Sequence, residues 1–335
     1  MSSPAEAGTR TLRQEVAHLA LSPEKDAALV AVMETLGRAC GDTLTGVVFF
    51  GSRRTGAANA NRWSAYDLLA VVTAYRPFYQ ALHRAGLLGK RPSLLATISR
   101  WLAPTQVSLR FAGQELHAKV SVLRRDIFLR ETSSRRHDHF TIGRLFQPAR
   151  ILLARSPAER ELLLDGLVAA HAGTWRWARP WLPARFDAEG YGRRVLEVSM
   201  ASEIRPEPGG RAKALWEAQR AVQVPVFEAL LRELAERGEL VPVEGVPTGW
   251  ARARPVGGLE RLRWRAYFAV SKARATARWV KHVLSFEGWL DYILQKAARH
   301  TGEAMELSPR ERRWPLVFLW GRLFRYLRQR RRSQP

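Results

Sequence analysis

The stretch FFGSRRTG (residues 49–56), followed by SAYDLLAVV (residues 64–72), decides the fold. Each stretch contains an apolar run rich in Val, Phe or Leu, and such runs bounded by turn residues are typical of buried strands. The first run ends at Gly51 and Ser52, and Asp67 stands near the start of the second. The sequence therefore predicts an acid on one strand, close to a glycine–serine turn at the end of its neighbour.

The turn and the acid together indicate chemistry on a phosphate chain. Because Gly51 has no side chain, the backbone can approach a triphosphate closely, and the Ser52 hydroxyl can donate hydrogen bonds to phosphate oxygens. The Asp67 carboxylate is suited to hold a Mg²⁺ ion that bridges a nucleotide and an attacking group. This order of features resembles the catalytic domain of the nucleotidyltransferase superfamily. A Gly-Ser pair without the acid and the second strand would usually be a simple turn.

A strand predicted over residues 116–123 adds candidates to this site. Its apolar and polar residues alternate, and the period of two places them on opposite faces. The core face has Leu116, Ala118, Val120 and Val122, and the other face has Glu115, His117, Lys119 and Ser121. Glu115 is a candidate second metal ligand. Lys119 is predicted to neutralise phosphate, because a lysine in mid-strand is costly unless it has a partner.

One acid that the superfamily usually has is missing. Two acids placed two residues apart on a strand point at the same metals, because strand side chains alternate. The first of these two positions is Ala65, and the second is Asp67. Three interpretations stay open: an inactive protein, a natural or engineered loss of the acid, or a family that works with one acid on this strand.

The whole chain predicts an α+β fold, in which a nucleotidyltransferase-like mixed sheet flanked by helices is followed by mainly helical middle and C-terminal regions. Two helices are expected within residues 10–38, the second capped near Ser22 and closed near Gly41. The other predicted elements are helices at 75–86 and 93–102 and strands at 45–50, 66–72, 105–111 and 150–154. The predicted domains are a catalytic domain (1–155), a helical middle domain of winged-helix type with a small hairpin after residue 241 (156–255), and a helical C-terminal region (256–335).

Six further stretches extend the pattern along the chain. They are AKVSVL (118–123), GRLFQPARIL (143–152), LPARF (182–186), LEVSMASEIR (196–205), SKARATARWVK (271–281) and GWLDYILQK (288–296). Their order resembles that of the mitochondrial-type CDP-diacylglycerol synthases, the translocator-assembly-and-maintenance family. In that family the position of Ala65 is often not acidic, which favours the single-acid interpretation. Arg53 stands where the family has a glycine.

The resemblance implies a phosphatidate cytidylyltransferase, which transfers CMP from CTP to phosphatidic acid and releases pyrophosphate, with Mg²⁺ as cofactor. A phosphate monoester has a second pKa near ~6 and is already an anionic nucleophile at neutral pH. The difficulty is therefore the repulsion between two polyanions. The implied site residues are Asp67 and Lys119 for catalysis, Asp67 and Glu115 for the metal, Gly51, Ser52, Arg54 and Arg144 for the nucleotide, and Lys213 and Lys281 for phosphate or lipid.

The charge balance also favours polyanionic partners. The chain has 54 Lys and Arg against 31 Asp and Glu, a net charge of +23, which suits nucleotides, nucleic acid or an anionic membrane surface. Nucleic acid is not expected, because aromatic and basic residues do not interleave on the predicted strands. Two other functions stay open: a nucleotidyltransferase acting on RNA, protein or a small molecule, and a catalytically degenerate domain that binds nucleotide or membrane.

Cysteine content and hydropathy indicate the compartment. The single Cys40 excludes an internal disulfide and suits a reducing compartment. No stretch approaches 18 uncharged apolar residues, so a transmembrane helix is not predicted, and the first residues lack the apolar core of a signal peptide. We expect a cytoplasmic protein, attached peripherally to the inner face of a bacterial cell membrane.

Two other motifs have simple explanations beside functional ones. In RRHDHF (135–140) the two histidines diverge on a helix, which favours a surface or loop segment over a metal site. The cluster WRWARPWLP (175–183) predicts contact with a base or a membrane interface, or ordinary packing of a helix end in the core.

The C-terminal stretch WPLVFLWGRLFRYLRQRRR (314–332) predicts an amphipathic helix. One face has Leu316, Leu319, Trp320, Leu323, Phe324 and Leu327, and the other has Arg322, Arg325 and Arg328. The helix is too short to span a bilayer and ends in three arginines, which is the form of an interfacial helix. A helix packed on the core with a solvated tail fits the same pattern.

Deletion of residues 313–335 is expected to abolish sedimentation of the protein with anionic vesicles. Each basic residue near an anionic surface adds ~1 kcal/mol, and salt screens that attraction, so high salt is expected to weaken binding of the intact chain. Co-sedimentation of both chains with vesicles measures the effect. Normal binding by the shortened chain would move the anchor to the aromatic cluster at 175–181.

Overall fold

The computed structural model describes residues 10–55, 66–111, 117–202, 211–243, 249–285, 307–308 and 310–311. In these residues the fold is α+β, as predicted: a five-stranded mixed sheet flanked by helices is followed by a mainly helical part with a small three-stranded sheet. Ala65, Glu115 and the helix predicted at 314–332 lie outside the described residues.

The large sheet contains the five predicted strands. They are β1 (Leu44–Phe50), β2 (Tyr66–Val72), β3 (Thr105–Arg110), β4 (His117–Arg124) and β5 (Arg150–Ala154). Their order across the sheet is β3-β4-β2-β1-β5. β2 and β4 run parallel, and the other neighbours run antiparallel. The central position of β2 places Asp67 between β4, which carries Lys119, and β1, which leads into the turn at Gly51.

Twelve α-helices are present among the described residues. They are α1 (Leu12–Ala20), α2 (Ala27–Cys40), α3 (Ser52–Thr55), α4 (Tyr75–Arg84), α5 (Pro92–Trp101), α6 (Arg125–Thr132), α7 (Ile142–Leu145), α8 (Pro157–Ala172), α9 (Thr174–Ala178), α10 (Ala188–Ala201), α11 (Arg211–Glu236) and α12 (Gly258–Ser285). The predicted cap near Ser22 is wrong. Asp26 caps α2 instead, because its Oδ1 accepts from the amides of Ala28 (3.1 Å) and Leu29 (3.3 Å).

The sheet separates two hydrophobic cores, and its alternation decides which core each side chain joins. Val47, Leu68 and Val120 pack under α2, α4 and α5. Residues one position away, including Leu69 and Leu123, join the core formed with α1, α8, α10 and α11. Asp67 is two residues before Leu69, so it projects from the face that the helical part covers.

A small sheet follows in the helical part. Its strands are β6 (Arg185–Phe186), β7 (Leu240–Pro242) and β8 (Trp250–Arg252), in the order β6-β8-β7. β7 and β8 pair antiparallel after α11 ends, which confirms the hairpin predicted after residue 241.

Asp138 joins α12 to the rest of the molecule. Its Oδ2 accepts from Arg274 Nε (2.8 Å) and from Arg278 Nη2, and its Oδ1 accepts from the Phe140 amide (3.0 Å). Arg278 also donates from Nε to the carbonyl of Ala103 (3.0 Å). The segment 135–140 is a loop, as predicted, but Asp138 is 1% exposed. The surface location was therefore wrong for this residue, because α12 brings two guanidinium groups onto it.

Asp138→Asn is expected to lower the free energy of unfolding by about 3 kcal/mol or more, because it leaves a buried guanidinium without its counter-charge. Burial raises the pKa of the Asp138 carboxyl, but the charge of Arg278 and the hydrogen bonds outweigh it, so the pKa lies below its usual value. The stabilisation is therefore present above about pH 4 and is lost as the pH falls through the lowered value.

Urea denaturation at several pH values measures this effect. The matched control is Asp126→Asn, which removes a 57% exposed carboxylate paired with Arg124 and is expected to cost less than about 1 kcal/mol. Equal losses in the two variants would contradict a stabilising role for Asp138.

Candidate functional site

The turn after β1 closes on the carboxylate of Asp67. The β1–β2 register places Phe50 opposite Asp67, so the next residue, Gly51, lies over the acid. Gly51 has φ +89°, in the left-handed region that favours glycine. A Cβ added there would lie 2.6 Å from Asp67 Oδ2 and 3.1 Å from its Cβ. Backbone conformation and space both require glycine at this position.

Asp67 and Lys119 are partners across parallel strands. The β2–β4 register pairs them directly, and Lys119 lies opposite Ser108 on β3. Adjacent strands are about 4.8 Å apart and paired residues project from the same face, so the carboxylate and the ammonium share one side of the sheet. Both residues are half-buried. The structure thus brings the two predicted catalytic residues together.

Two arginines flank the turn. α3 begins directly after Gly51 and carries Arg54, and β5 begins with Arg150. Burial lowers the pKa of Arg54, the nearby charge of Arg150 lowers it further, and Glu24 opposes both. Arg150 Nη1 donates to Glu24 Oε2 at 2.6 Å. The two guanidinium groups of Arg54 and Arg150 therefore lie near the single carboxylate of Glu24, and this group of three side chains has a net positive charge.

Both arginines also have an N–H group that has no hydrogen-bond partner among the described residues. The Nε atoms of Arg54 and Arg150 are buried and make no hydrogen bond to any described residue. Native structures rarely leave buried donors of this kind without a hydrogen bond. An anion with several oxygens would supply acceptors for them. The neighbourhood of the turn is therefore suited to bind phosphate.

Arg53 is held on the first residue of β2. Its guanidinium lies 4.1 Å from the centre of the Tyr66 ring, and the Tyr66 hydroxyl donates to Asp26 Oδ2 at 2.5 Å. Burial and the Asp26 carboxylate raise the pKa of Tyr66 to about 12. Arg53 thus stacks on the residue that precedes Asp67 in the chain.

Sequence reasoning missed Arg150 and Glu24 as parts of this site. Arg150 was placed only on the last strand, and its partner Glu24 is 126 residues away in the chain. One signal was present: an arginine that begins an apolar strand and enters the fold needs a buried acceptor. Nothing in the pattern identifies Glu24 as that acceptor.

The other predicted nucleotide and phosphate residues lie in different places. Ser52 begins α3, and its side chain lies outside what the structure describes. The Arg144 guanidinium stacks on Phe140 at 3.6 Å, and Nη1 donates to the Phe140 carbonyl at 2.8 Å. Lys213 is exposed in the first turn of α11, the helix that contacts α3. The phosphate roles of these residues stay predictions.

Lys281 is buried against the start of β3. Its ammonium donates to the carbonyls of Leu102 and Pro104 (the latter at 3.0 Å) and to Thr105 Oγ1 (3.0 Å). These acceptors match the three donors of an ammonium group. Burial, and then the charge of Arg278, lower the pKa of Lys281 to about 7. In this arrangement Lys281 joins α12 to β3, and its predicted contact with phosphate or lipid stays a prediction.

The described residues fit a magnesium ion that arrives with its nucleotide. Within them no group of three or more His, Cys, Asp or Glu side chains is placed to hold a metal. Mg²⁺ keeps several waters and is usually held by one or two carboxylates together with substrate phosphates. Asp67, beside a turn flanked by arginines, supplies one such carboxylate. Glu115, the other predicted ligand, lies outside the described residues.

Comparison with known proteins adds no family. The chain matches no protein-family model, and no curated protein matches it. In the part of the chain that the structure describes, none of the helices has the length and apolar character needed to cross a bilayer.

Gly51→Ala is expected to destabilise the protein more than Gly86→Ala. Both glycines have positive φ, so either alanine costs about 1–2 kcal/mol for the backbone. At Gly86 a Cβ meets nothing within 4 Å, whereas at Gly51 it would collide with the Asp67 carboxylate, which adds about 1–3 kcal/mol. Urea denaturation of both variants measures the difference. Equal losses would show that the turn does not press on Asp67.

Proposed function

We propose that the chain is a phosphatidate cytidylyltransferase, which transfers CMP from CTP to phosphatidic acid and yields CDP-diacylglycerol and pyrophosphate. The observation that supports the proposal is the Gly51 turn that closes on Asp67, with Lys119 beside that acid on the parallel strand. A close backbone approach, a carboxylate and a cation on one sheet face suit a nucleotide triphosphate with its metal.

Each residue of the site has a distinct role in the proposal. Bound Mg²⁺ would supply neutralisation of phosphate charge, and Asp67 is the described residue that holds it. Arg54 and Arg150 present buried N–H donors beside the turn, and they bind the triphosphate oxygens. Lys119 lies next to Asp67 and offsets the charge of the second polyanion.

The chemistry needs little from a general base. One oxygen of the phosphatidate monoester forms a bond to the α-phosphorus of CTP, and the bond from that phosphorus to the oxygen bridging to the β-phosphorus breaks. Pyrophosphate leaves with that electron pair. The nucleophile is already ionised at neutral pH, so the protein acts chiefly by holding two anions together with fixed cations. A cation such as Lys119 beside Asp67 meets this requirement.

The proposal includes a location. A lipid substrate requires contact with a membrane, and a net charge of +23 attracts the chain to an anionic surface. We therefore place it in the bacterial cytoplasm, attached peripherally to the inner face of the cell membrane.

Purified protein is expected to consume labelled CTP only when phosphatidic acid vesicles and Mg²⁺ are present. Formation of CDP-diacylglycerol and pyrophosphate is measured, with ATP, GTP and UTP as competing nucleotides and RNA as a competing acceptor. Equal turnover of all four nucleotides, or transfer to RNA, would indicate one of the other transferase activities. Nucleotide binding without turnover would indicate a degenerate domain.

Asp67→Asn and Lys119→Ala are each expected to reduce this activity by ~10²–10³, because each removes a placed electrostatic contact. The matched controls are Asp126→Asn and Lys272→Ala, which change exposed residues on α6 and α12 and are expected to keep activity. Activity near that of the parent protein in folded Asp67→Asn would show that the metal site lies elsewhere. Strong activation by Ala65→Asp would indicate that the chain is an impaired variant.

A further inference from the structure

A cavity lies in the helical part of the molecule. Its volume is about 550 Å³, and arginines and tryptophans dominate its lining: Arg136, Arg176, Arg179, Arg263, Trp175 and Trp264. The lining residues come from the loop after α6, from α9 and the turn that follows it, from the turn between α11 and β7, and from α12. None of those identified belongs to the five-stranded sheet. We call it the Trp-Arg cavity. It is a different place from the Gly51 turn.

The Trp-Arg cavity has an excess of positive charge. Four arginines line it against two acids, Glu239 and Glu260, which leaves an excess of two positive charges. Both acids already have partners, because Glu239 accepts from Trp175 Nε1 and Glu260 accepts from Arg179 Nη2 at 2.8 Å. One carboxylate therefore holds an arginine and the other holds a tryptophan, and together they do not neutralise the four arginines of the lining.

Two of the arginines have N–H groups without an acceptor in the part of the chain that the structure describes. Arg136 is only 9% exposed. Its Nε donates to the Tyr267 hydroxyl (2.8 Å) and its Nη1 to the Ser133 carbonyl (3.2 Å). Its Nη2 is buried and has no hydrogen-bond partner among the described residues, and the same is true of Arg179 Nε. Hydrogen bonds left unmade on buried guanidinium groups are costly, and both arginines line the cavity in which an anion would lie.

Further positive charge surrounds Arg179. The pKa of Arg252 is lowered, first by burial and then by the charges of Arg179 and Arg261. Apolar groups line the same cavity, and the Arg136 guanidinium lies 5.8 Å from the Trp264 ring centre. Leu259 borders the cavity and is 82% exposed. The cavity thus combines cations, aromatic walls and an apolar rim.

We propose that the Trp-Arg cavity binds a phosphate-bearing anion, held by Arg136 and Arg179 with Arg176 and Arg263 at its rim. A phosphate group offers several acceptor oxygens and up to two charges, which matches several planar guanidinium forks. The volume is that of a small-molecule site. The phosphate comes either from a free anion or from a lipid headgroup, and Leu259 at the rim suits the lipid.

The test measures both sources of phosphate with the full-length chain. Binding of pyrophosphate is followed by calorimetry with EDTA present, and binding of phosphatidylcholine vesicles with and without phosphatidic acid is followed by sedimentation. The test variant is Arg176→Gln with Arg263→Gln, since both residues are exposed and their replacement leaves the core intact. The matched control is Arg100→Gln with Arg160→Gln, which removes the same charge from exposed positions on α5 and α8.

The test variant is expected to bind one of the two probes about tenfold more weakly or worse than the parent chain, because charge-assisted hydrogen bonds are lost. The control variant is expected to bind both probes as the parent chain does. Loss of pyrophosphate binding identifies a free anion, and loss of binding only to vesicles with phosphatidic acid identifies a headgroup. Lys119→Ala is expected to weaken only the binding at the Gly51 turn, so the binding that this variant retains and the Arg176 and Arg263 variant loses belongs to the Trp-Arg cavity. Arg136→Lys, which keeps the charge but loses the planar fork, is expected to weaken the same probe.

Three results would overturn the proposal. One is that the parent chain binds neither probe. Another is an equal loss in the Arg100 and Arg160 control, which would show that net charge alone attracts the probes. The third is a loss in Lys119→Ala together with normal binding by the Arg176 and Arg263 variant, which would assign all phosphate binding to the sheet.

Discussion

The close approach of the Gly51 backbone to the Asp67 carboxylate is the constraint on which the site depends. It needs a residue without a Cβ, a positive φ and a register that places the end of β1 over the start of β2. If any of these changes, the carboxylate must move. The positions of Lys119, Arg54 and Arg150 relative to Asp67 then change as well. Lys119 pairs with β2, Arg150 pairs with β1, and Arg54 follows the turn after β1. The geometry of the turn thus controls the electrostatics around it.

The strands were predictable because their pattern is local. Dense apolar runs identify β1 and β2, and alternation in β4 separates Val120 and Val122 from Lys119. The pairing of Asp67 with Lys119 depends in addition on the register between β2 and β4, which the pattern does not give. The sequence therefore predicted the five strands, and it predicted that β1 and β4 lie beside the strand of Asp67. It did not predict the complete order of the strands across the sheet.

The partners of buried charges were not predictable, because they come from distant parts of the chain. Glu24 meets Arg150 across 126 residues, and Asp138 meets Arg278 across 140 residues. The loop at 135–140 has the composition of a surface segment, and only the arginines of α12 explain why Asp138 is buried. Lys281 shows the same limit. A lysine in a basic stretch suggests a phosphate contact, but its placement against three oxygens becomes evident only in the fold.

Net charge alone is a weak guide to where anions bind, because water solvates exposed charges and salt screens them. Buried N–H groups without acceptors are more informative, since leaving them unmade costs free energy unless a ligand completes them. They occur beside the Gly51 turn, on Arg54 and Arg150, and in the Trp-Arg cavity, on Arg136 and Arg179. In both places a carboxylate already binds one arginine of the pair, and another nitrogen of that arginine has no acceptor among the described residues. A ligand that brings acceptor oxygens would complete both arrangements, and a ligand that brings only charge would not.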